Sequence, residues 1–197
     1  LNVDYRHGSL GQAHNGDLLV MYWVSSRWTW DLKDTGQADF VATHVVRSSD
    51  MGRTWSQPVD LKLRTKLGFG VGPYGRILRV GQRTLVANVR EGESDQSFLA
   101  WSHDDGRSWP EITTISRKRK TETWIEPLSD REWIGYTRQG AGGAVVCRSH
   151  DGGKSWPDWQ EIQPYRRLVP GCIVQLPGNQ VAVIHTWRQH PFGIRAF

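Results

Sequence analysis

Short apolar runs alternate along this chain with clusters of Gly, Asp, Ser and Arg, and the runs have the length of strands. Leu18–Leu19–Val20–Met21–Tyr22–Trp23 is followed by Phe40–Val41–Ala42–Thr43–His44–Val45–Val46. Further along come the runs 76–80, 84–89, 98–101, 124–128, 132–136 and 144–147, then 171–176 and 181–187. Runs of this length, bounded by turn residues and rich in β-branched and aromatic side chains, predict strands. Tight turns are predicted at Asn15–Gly16–Asp17, Gly81–Gln82, Ser129–Asp130 and Pro177–Gly178–Asn179, where Gly, Asn and Asp tolerate the backbone angles of a hairpin. Nothing reads as a long amphipathic helix, and no apolar run approaches the roughly 20 residues that a membrane-spanning helix requires.

The polar clusters repeat. Ser48–Ser49–Asp50–Met51–Gly52–Arg53–Thr54–Trp55 aligns with Ser102–His103–Asp104–Asp105–Gly106–Arg107–Ser108–Trp109, and both align with Ser149–His150–Asp151–Gly152–Gly153–Lys154–Ser155–Trp156. The shared pattern is S-x-D-x-G-[RK]-[ST]-W. Its tryptophans are 54 residues apart (109 minus 55) and then 47 apart (156 minus 109), close to the ~40–50 residues of one propeller blade. Local physics accounts for the pattern. The Asp accepts backbone N–H groups as in an Asx-turn, Gly supplies a positive φ, the hydroxyl adds a second bond, and Trp covers the apolar layer. Asp50, Asp104 and Asp151 are therefore folding devices, not catalytic carboxylates.

These elements predict an all-β fold, a β-propeller of four-stranded antiparallel blades with Asp-box turns. The blades fall at about 1–65, 66–120 and 121–165, with an incomplete one at 166–197, in a single partial-propeller domain over 1–197. About three and a half blades is fewer than the roughly four to eight of closed propellers. The expectation is a fragment of a longer protein, or a half-propeller completed as a homo-oligomer by another copy of itself.

Composition refines this picture. Eleven Trp against two Met and two Cys suits a stacked all-β core. The formal charge of +5 permits a polyanionic partner. The arginines, however, are scattered singly through strands, and the one basic run, Arg117–Lys118–Arg119–Lys120, reads as a solvated loop. This suits small anionic ligands better than nucleic acid, so neither a nucleic-acid nor a membrane partner is expected. Cys147 and Cys172 leave a disulfide and two free thiols both open. His44, His103, His150 and His185 have no metal-ligand spacing. Leu1–Asn2–Val3–Asp4 lacks the basic and apolar regions of a signal peptide.

Three such boxes at blade spacing resemble the BNR repeats of the sialidase (neuraminidase) superfamily, over nearly the whole chain. Tyr5–Arg6–His7–Gly8–Ser9–Leu10 followed by Asn15–Gly16–Asp17–Leu18–Leu19 is similar to that family's opening [FY]-R-I-P-x-L…G-x-L-L, with His7–Gly8 in place of Ile-Pro. Trp124–Ile125–Glu126–Pro127–Leu128…Arg138 is similar to its E-P-x-[IVL]…R segment. The resemblance implies Arg6 and Arg138 as two of three arginines gripping a substrate carboxylate, with Arg188 or Arg195 as the third. It also implies Glu126 as the auxiliary catalytic carboxylate. The general acid would be an Asp of the loop after the first long strand, where Asp31, Asp34 and Asp39 fall, Asp39 being nearest the expected spacing. Forked guanidinium groups match a planar, ionised carboxylate bidentately, and family members use a Tyr nucleophile in place of a second carboxylate.

The implied activity is an exo-acting glycoside hydrolase on terminal sialic acid or a related acidic sugar, needing no metal or organic cofactor. The family's nucleophilic Tyr lies beyond this stretch, and Tyr136 and Tyr165 are not in matching contexts. The alternatives are a non-catalytic BNR propeller binding glycan or protein, and a glycosidase or lyase for another sugar. Trp23, Trp28 and Trp30 could line a sugar-stacking loop or a core. By analogy alone, a glycan-facing role favours a secreted or periplasmic setting.

Overall fold

The computed structural model describes residues 3–26, 39–91, 96–116, 120–139, 143–162, 168–178, 180–187 and 190–196. Every regular element among them is a strand. Strands pair antiparallel within each repeat, and among the described residues no sheet closes on itself. Two compact units account for the chain. One comprises 1–91 with 100–112, and the other 92–99 with 113–197.

The first unit holds a four-stranded sheet, β1 (Val3–Gln12), β2 (Leu18–Ser26), β3 (Asp39–Ser48) and β4 (Val59–Asp60), paired in that order. It also holds the hairpin of β5 (Val71–Gly81) and β6 (Thr84–Glu91). One face of the sheet packs on β5. A Cβ on Gly11 of β1 would collide with Ile77, and the Thr43 hydroxyl donates to the Val71 carbonyl. Leu19, Met21, Val45, Val71, Ile77 and Leu85 are buried. β7 (Gln96–Ser102) runs from the second unit into the first, and β8 (Glu111–Thr114) pairs with it.

In the second unit, β9 (Lys120–Pro127), β10 (Trp133–Gln139), β11 (Gly143–Ser149) and β12 (Asp158–Glu161) form one run of paired strands. β13 (Leu168–Leu176), β14 (Gln180–Trp187) and β15 (Gly193–Ala196) form another. Ile134, Tyr136 and Ala144 of the first run interlock with Ile173 and Val183 of the second. Both cysteines lie in this unit and both are free, which settles the disulfide alternative. Burial pushes the Cys147 thiol up.

The three boxes follow β3, β7 and β11 and share one network. Asp50 Oδ1 accepts the Thr54 amide at 2.9 Å and Oδ2 its hydroxyl at 2.6 Å. Asp104 does the same with Ser108 at 2.8 and 2.6 Å, and Asp151 with Ser155 at 2.9 and 2.5 Å. The leading Ser accepts the Gly amide in each box, at 2.8, 2.8 and 2.9 Å. The Thr54 hydroxyl and amide hold Asp50 at about 2. Burial pushes Asp104 and Asp151 up, but the bonds from Ser108 and Ser155 outweigh it, and both also settle at about 2. Asp105 adds a latch within the first unit. Its carboxylate accepts the amides of His14 and Asn15 in the β1–β2 turn, at 2.7 and 3.1 Å.

The tryptophans do not behave alike. Trp109 and Trp156 are 4% and 7% exposed, whereas Trp55 is 41% exposed. The second and third boxes sit on packed surface. A Cβ on Gly106 would reach 2.6 Å from Leu19, and one on Gly153 2.6 Å from Trp133. Around Gly52 the nearest atoms are those of the Trp55 indole and Leu18, at 3.7 and 3.8 Å, so the first box is more loosely packed than the other two.

Candidate functional site

Each hairpin that opens a repeat carries a register break near one end. On β1, His7 and Gly8 stand between the pairs Arg6–Trp23 and Ser9–Met21. On β5, Tyr74, Gly75 and Arg76 stand between Pro73–Val89 and Ile77–Ala87. On β9, Glu122 is the extra residue between Thr121–Arg138 and Thr123–Thr137. On β13, Val169 and Pro170 stand between Leu168–Trp187 and Gly171–His185. β-Bulges bend a strand and re-aim its side chains, and they collect at rims and functional sites. His7 and Glu122 adopt positive φ, 46° and 56°, a conformation that costs a non-glycine residue roughly 1 kcal/mol or more. The bulge end is opposite the box end in every repeat that has a box.

At the bulge of the third repeat, Arg138 Nη1 donates to Glu122 Oε2 at 2.9 Å. The Glu122 side chain is 12% exposed and that of Arg138 36%. Beneath them lies a hydroxyl layer. Thr123 Oγ1 is 2.7 Å from Ser97 Oγ and 2.8 Å from Thr137 Oγ1, and Thr137 donates to the Thr121 carbonyl. Satisfied buried networks of this kind hold backbone geometry rigidly.

At the bulge of the first repeat, Arg6 shares its register row with Trp23 and pairs with Asp4 through Nε. The His7 ring stacks on Trp23, with centroids 5.6 Å apart and planes at 22°. The edge of Tyr74, from the β5 bulge, meets His7 at 6.0 Å. Arg90 Cζ lies 5.4 Å from the Trp23 ring centroid. Gly72 makes room for the indole, since a Cβ there would stand 2.5 Å from it.

The sequence-predicted residues sort by this geometry. Arg6 and Arg138 both occupy bulge ends, each in its own unit. The backbone of Asp39 lies at the same end of the first sheet as Arg6, opposite Ser26, which in turn pairs with Val3. Glu126 does not join Arg138. It pairs with Ile134 near the box end, four residues and roughly 13 Å of strand away. The carboxylate that meets Arg138 is Glu122, which the E-P motif passes over; its signal is a lone acid in the Thr-Glu-Thr that opens the strand. Arg195 pairs across the ladder with His185 and stacks on Trp187, 4.3 Å from Cζ to ring centroid. Arg188, Asp31, Asp34, Trp28, Trp30, Tyr165 and 117–119 of the basic run lie outside the described residues. Tyr136 is 1% exposed and burial pushes it up to about 12, a core residue and not a nucleophile. Among the described residues no group of His, Cys, Asp and Glu could hold a metal ion, and no helix is long and apolar enough to cross a membrane.

Antiparallel sheets, repeated Asp-box turns and an arginine-bearing bulge end define a protein built from BNR-type repeats. The BNR repeat-like domain profile matches residues 8–191, and the chain belongs to that family. No curated protein matches it. Solved structures share its fold. A Dyadobacter fermentans protein of unknown function superposes with a TM-score of 0.73 at 21% identity, over 98% of this chain and 59% of that one. The Hadza microbial sialidase Hz136 gives 0.68 at 19%, over 93% and 40%. The intramolecular trans-sialidase of Ruminococcus gnavus, in complex with oseltamivir carboxylate, gives 0.69 at 12%, over 94% and 60%. The chain thus spans 40% to 60% of the length of these structures.

Proposed function

We propose that this chain is the carboxylate-gripping part of a sialidase-like β-propeller, whose complete form acts as an exo-glycosidase on terminal sialic acid or a related acidic sugar. The observation that carries this reading is the Arg138–Glu122 pair, 2.9 Å apart on a bulge. A half-exposed guanidinium oriented by a neighbouring acid suits recognition of a planar anion. In this reading Arg6 and Arg138 bind the carboxylate, Arg195 or Arg188 completes the grip, and Asp39 serves as general acid. Glu122 takes the auxiliary role that the motif alone would give to Glu126.

The architecture belongs to the same proposal: one propeller domain over 1–197, with four-stranded blades at about 1–65, 66–120, 121–165 and a partial one at 166–197. Its support is a contrast between repeats. Trp133, which pairs with the leading Ser149 of the third box, is 3% exposed, whereas Leu18, which pairs with Ser48 of the first, is only half-buried. Leu10 and Trp55 are 56% and 41% exposed in the first repeat. That bare face suits another repeat, supplied by further chain or by a second copy. Light scattering tests the second source, a dimer being the expected result if copies supply it.

Binding without turnover is the second reading for this stretch, favoured by the burial of Tyr136. Titration of the chain with N-acetylneuraminic acid, alongside hydrolysis of a fluorogenic sialoside, tests both. We expect binding with Kd of about 1 mM, or about −4 kcal/mol, lost in Arg138→Ala. Binding of a neutral sugar in preference to the acid would overturn the acidic-sugar reading. Turnover by this chain would overturn the binding-only one.

A further inference from the structure

We infer that Arg90 is a second guanidinium of the carboxylate site in the first unit, positioned by Trp23 beside Arg6. The inference rests on the acidic-ligand reading above and adds a residue that no motif points to. Arg6 and Trp23 are direct cross-strand partners, so their side chains leave the sheet on the same face. Arg90 arrives from β6 and holds its guanidinium 5.4 Å from the centroid of the same indole, within the roughly 6 Å range of cation–π attraction. Arg90 thus lies over the ring of a residue whose cross-strand partner is Arg6.

The ring cannot easily move. Gly72 lies against it, where any Cβ would stand at 2.5 Å, and His7 stacks on it from the bulge at 5.6 Å. Trp23 thus acts as a positioning residue. It fixes a cation on its π-face and spares that long side chain part of the rotamer entropy that binding would otherwise cost. Asp4 engages Arg6 through Nε and so helps to orient its guanidinium. The group that two planar, forked cations at a half-buried indole select is a planar anion, the carboxylate of an acidic sugar.

Titrations of the full chain with N-acetylneuraminic acid and with glucuronic acid, followed by tryptophan fluorescence and calorimetry, test this assignment. Arg90→Ala is expected to raise Kd for both acids about tenfold or more and to flatten the salt dependence of binding. Arg90→Lys keeps the charge but not the fork and should recover only part of the affinity. Trp23→Phe, which preserves a ring of weaker cation–π strength, should fall between Arg90→Lys and wild type and guards against a variant that fails to fold. Wild-type affinity in Arg90→Ala, with Arg138→Ala still impaired, would overturn the role of Arg90 and leave the acidic-sugar reading standing. Wild-type protein that takes up neither acid would overturn both.

Discussion

Arg138 Nη1 meets Glu122 Oε2 at 2.9 Å, and Glu122 reaches it from a backbone φ of 56° as the extra residue of a β9 bulge. A regular β9 would carry Glu122 in step with the ladder, where alternation decides which face it uses. The bulge removes it from that alternation and turns it to the arginine. The backbone strain and the ion pair are therefore two sides of one local arrangement, and they can be separated by mutation.

Glu122→Ala should lose about 1–3 kcal/mol of stability, because it removes the partner of a partly buried guanidinium. Glu122→Gly loses the same partner but relieves the positive φ, and should be more stable than the alanine variant by about 1 kcal/mol. Urea unfolding of the three proteins measures both differences. Equal stability of the two variants would show that the bulge stores no strain at this residue.

The boxes share a sequence but not an environment, and Trp→Ala substitutions should separate them. Trp156→Ala should cost about 3–5 kcal/mol, as large-to-small changes in a packed core do. Trp55, 41% exposed, should cost well under half of that. Thermal melts of the two variants provide the comparison, and similar losses would mean that the first box is as well covered as the third.

Acid should unfold the chain through its boxes. Asp50, Asp104 and Asp151 are each held at about 2 against an ordinary 3.8. A carboxylate depressed by folding contributes stability that is fully present above its unfolded value and is lost as pH falls through the folded one. The urea midpoint should therefore be flat from pH 6 to about 4.5 and fall steeply between about 4 and 2. Asp151→Asn should make that fall shallower, and an unchanged acid limb in this variant would remove Asp151 from the explanation.

His150 should titrate late. Its Nε2 lies 2.6 Å from Asp158 and its Nδ1 2.6 Å from Glu132. Asp158 first, then Glu132, pushes it above the ordinary 6.5. A raised folded value means that this clamp is fully present below pH 6.5 and is released as pH rises through the folded pKa. Proton NMR titration of the imidazole should show the elevation in wild type and a downward shift in Asp158→Asn. The site is exposed, so the effect should shrink with added salt.

The box turns, the repeat period and the all-β class were legible in the chain because each depends on contacts within a few residues. An Asp, a Gly and a hydroxyl at fixed offsets close the same turn wherever they occur, and apolar runs of strand length announce their strands. The strand segments 3–9, 71–75 and 120–123 were not foreseen as strands. They are polar or glycine-bearing and each is interrupted by a bulge, so they lack the alternation that marks a strand. The short fourth strands, two or four residues each, were equally silent.

Burial of one Trp and exposure of another, within the same eight-residue pattern, was decided by what packs against each box. The choice of Glu122 over Glu126 as the partner of Arg138 was likewise tertiary. Both acids lie in one strand within reach of the same motif, and only the register of β9 against β10 separates them. Arg90 joined the Trp23 cluster across two repeats, a juxtaposition set by sheet packing and not by sequence spacing. Short-range hydrogen bonding wrote the turns into the sequence, while long-range register and packing chose which charged side chains meet.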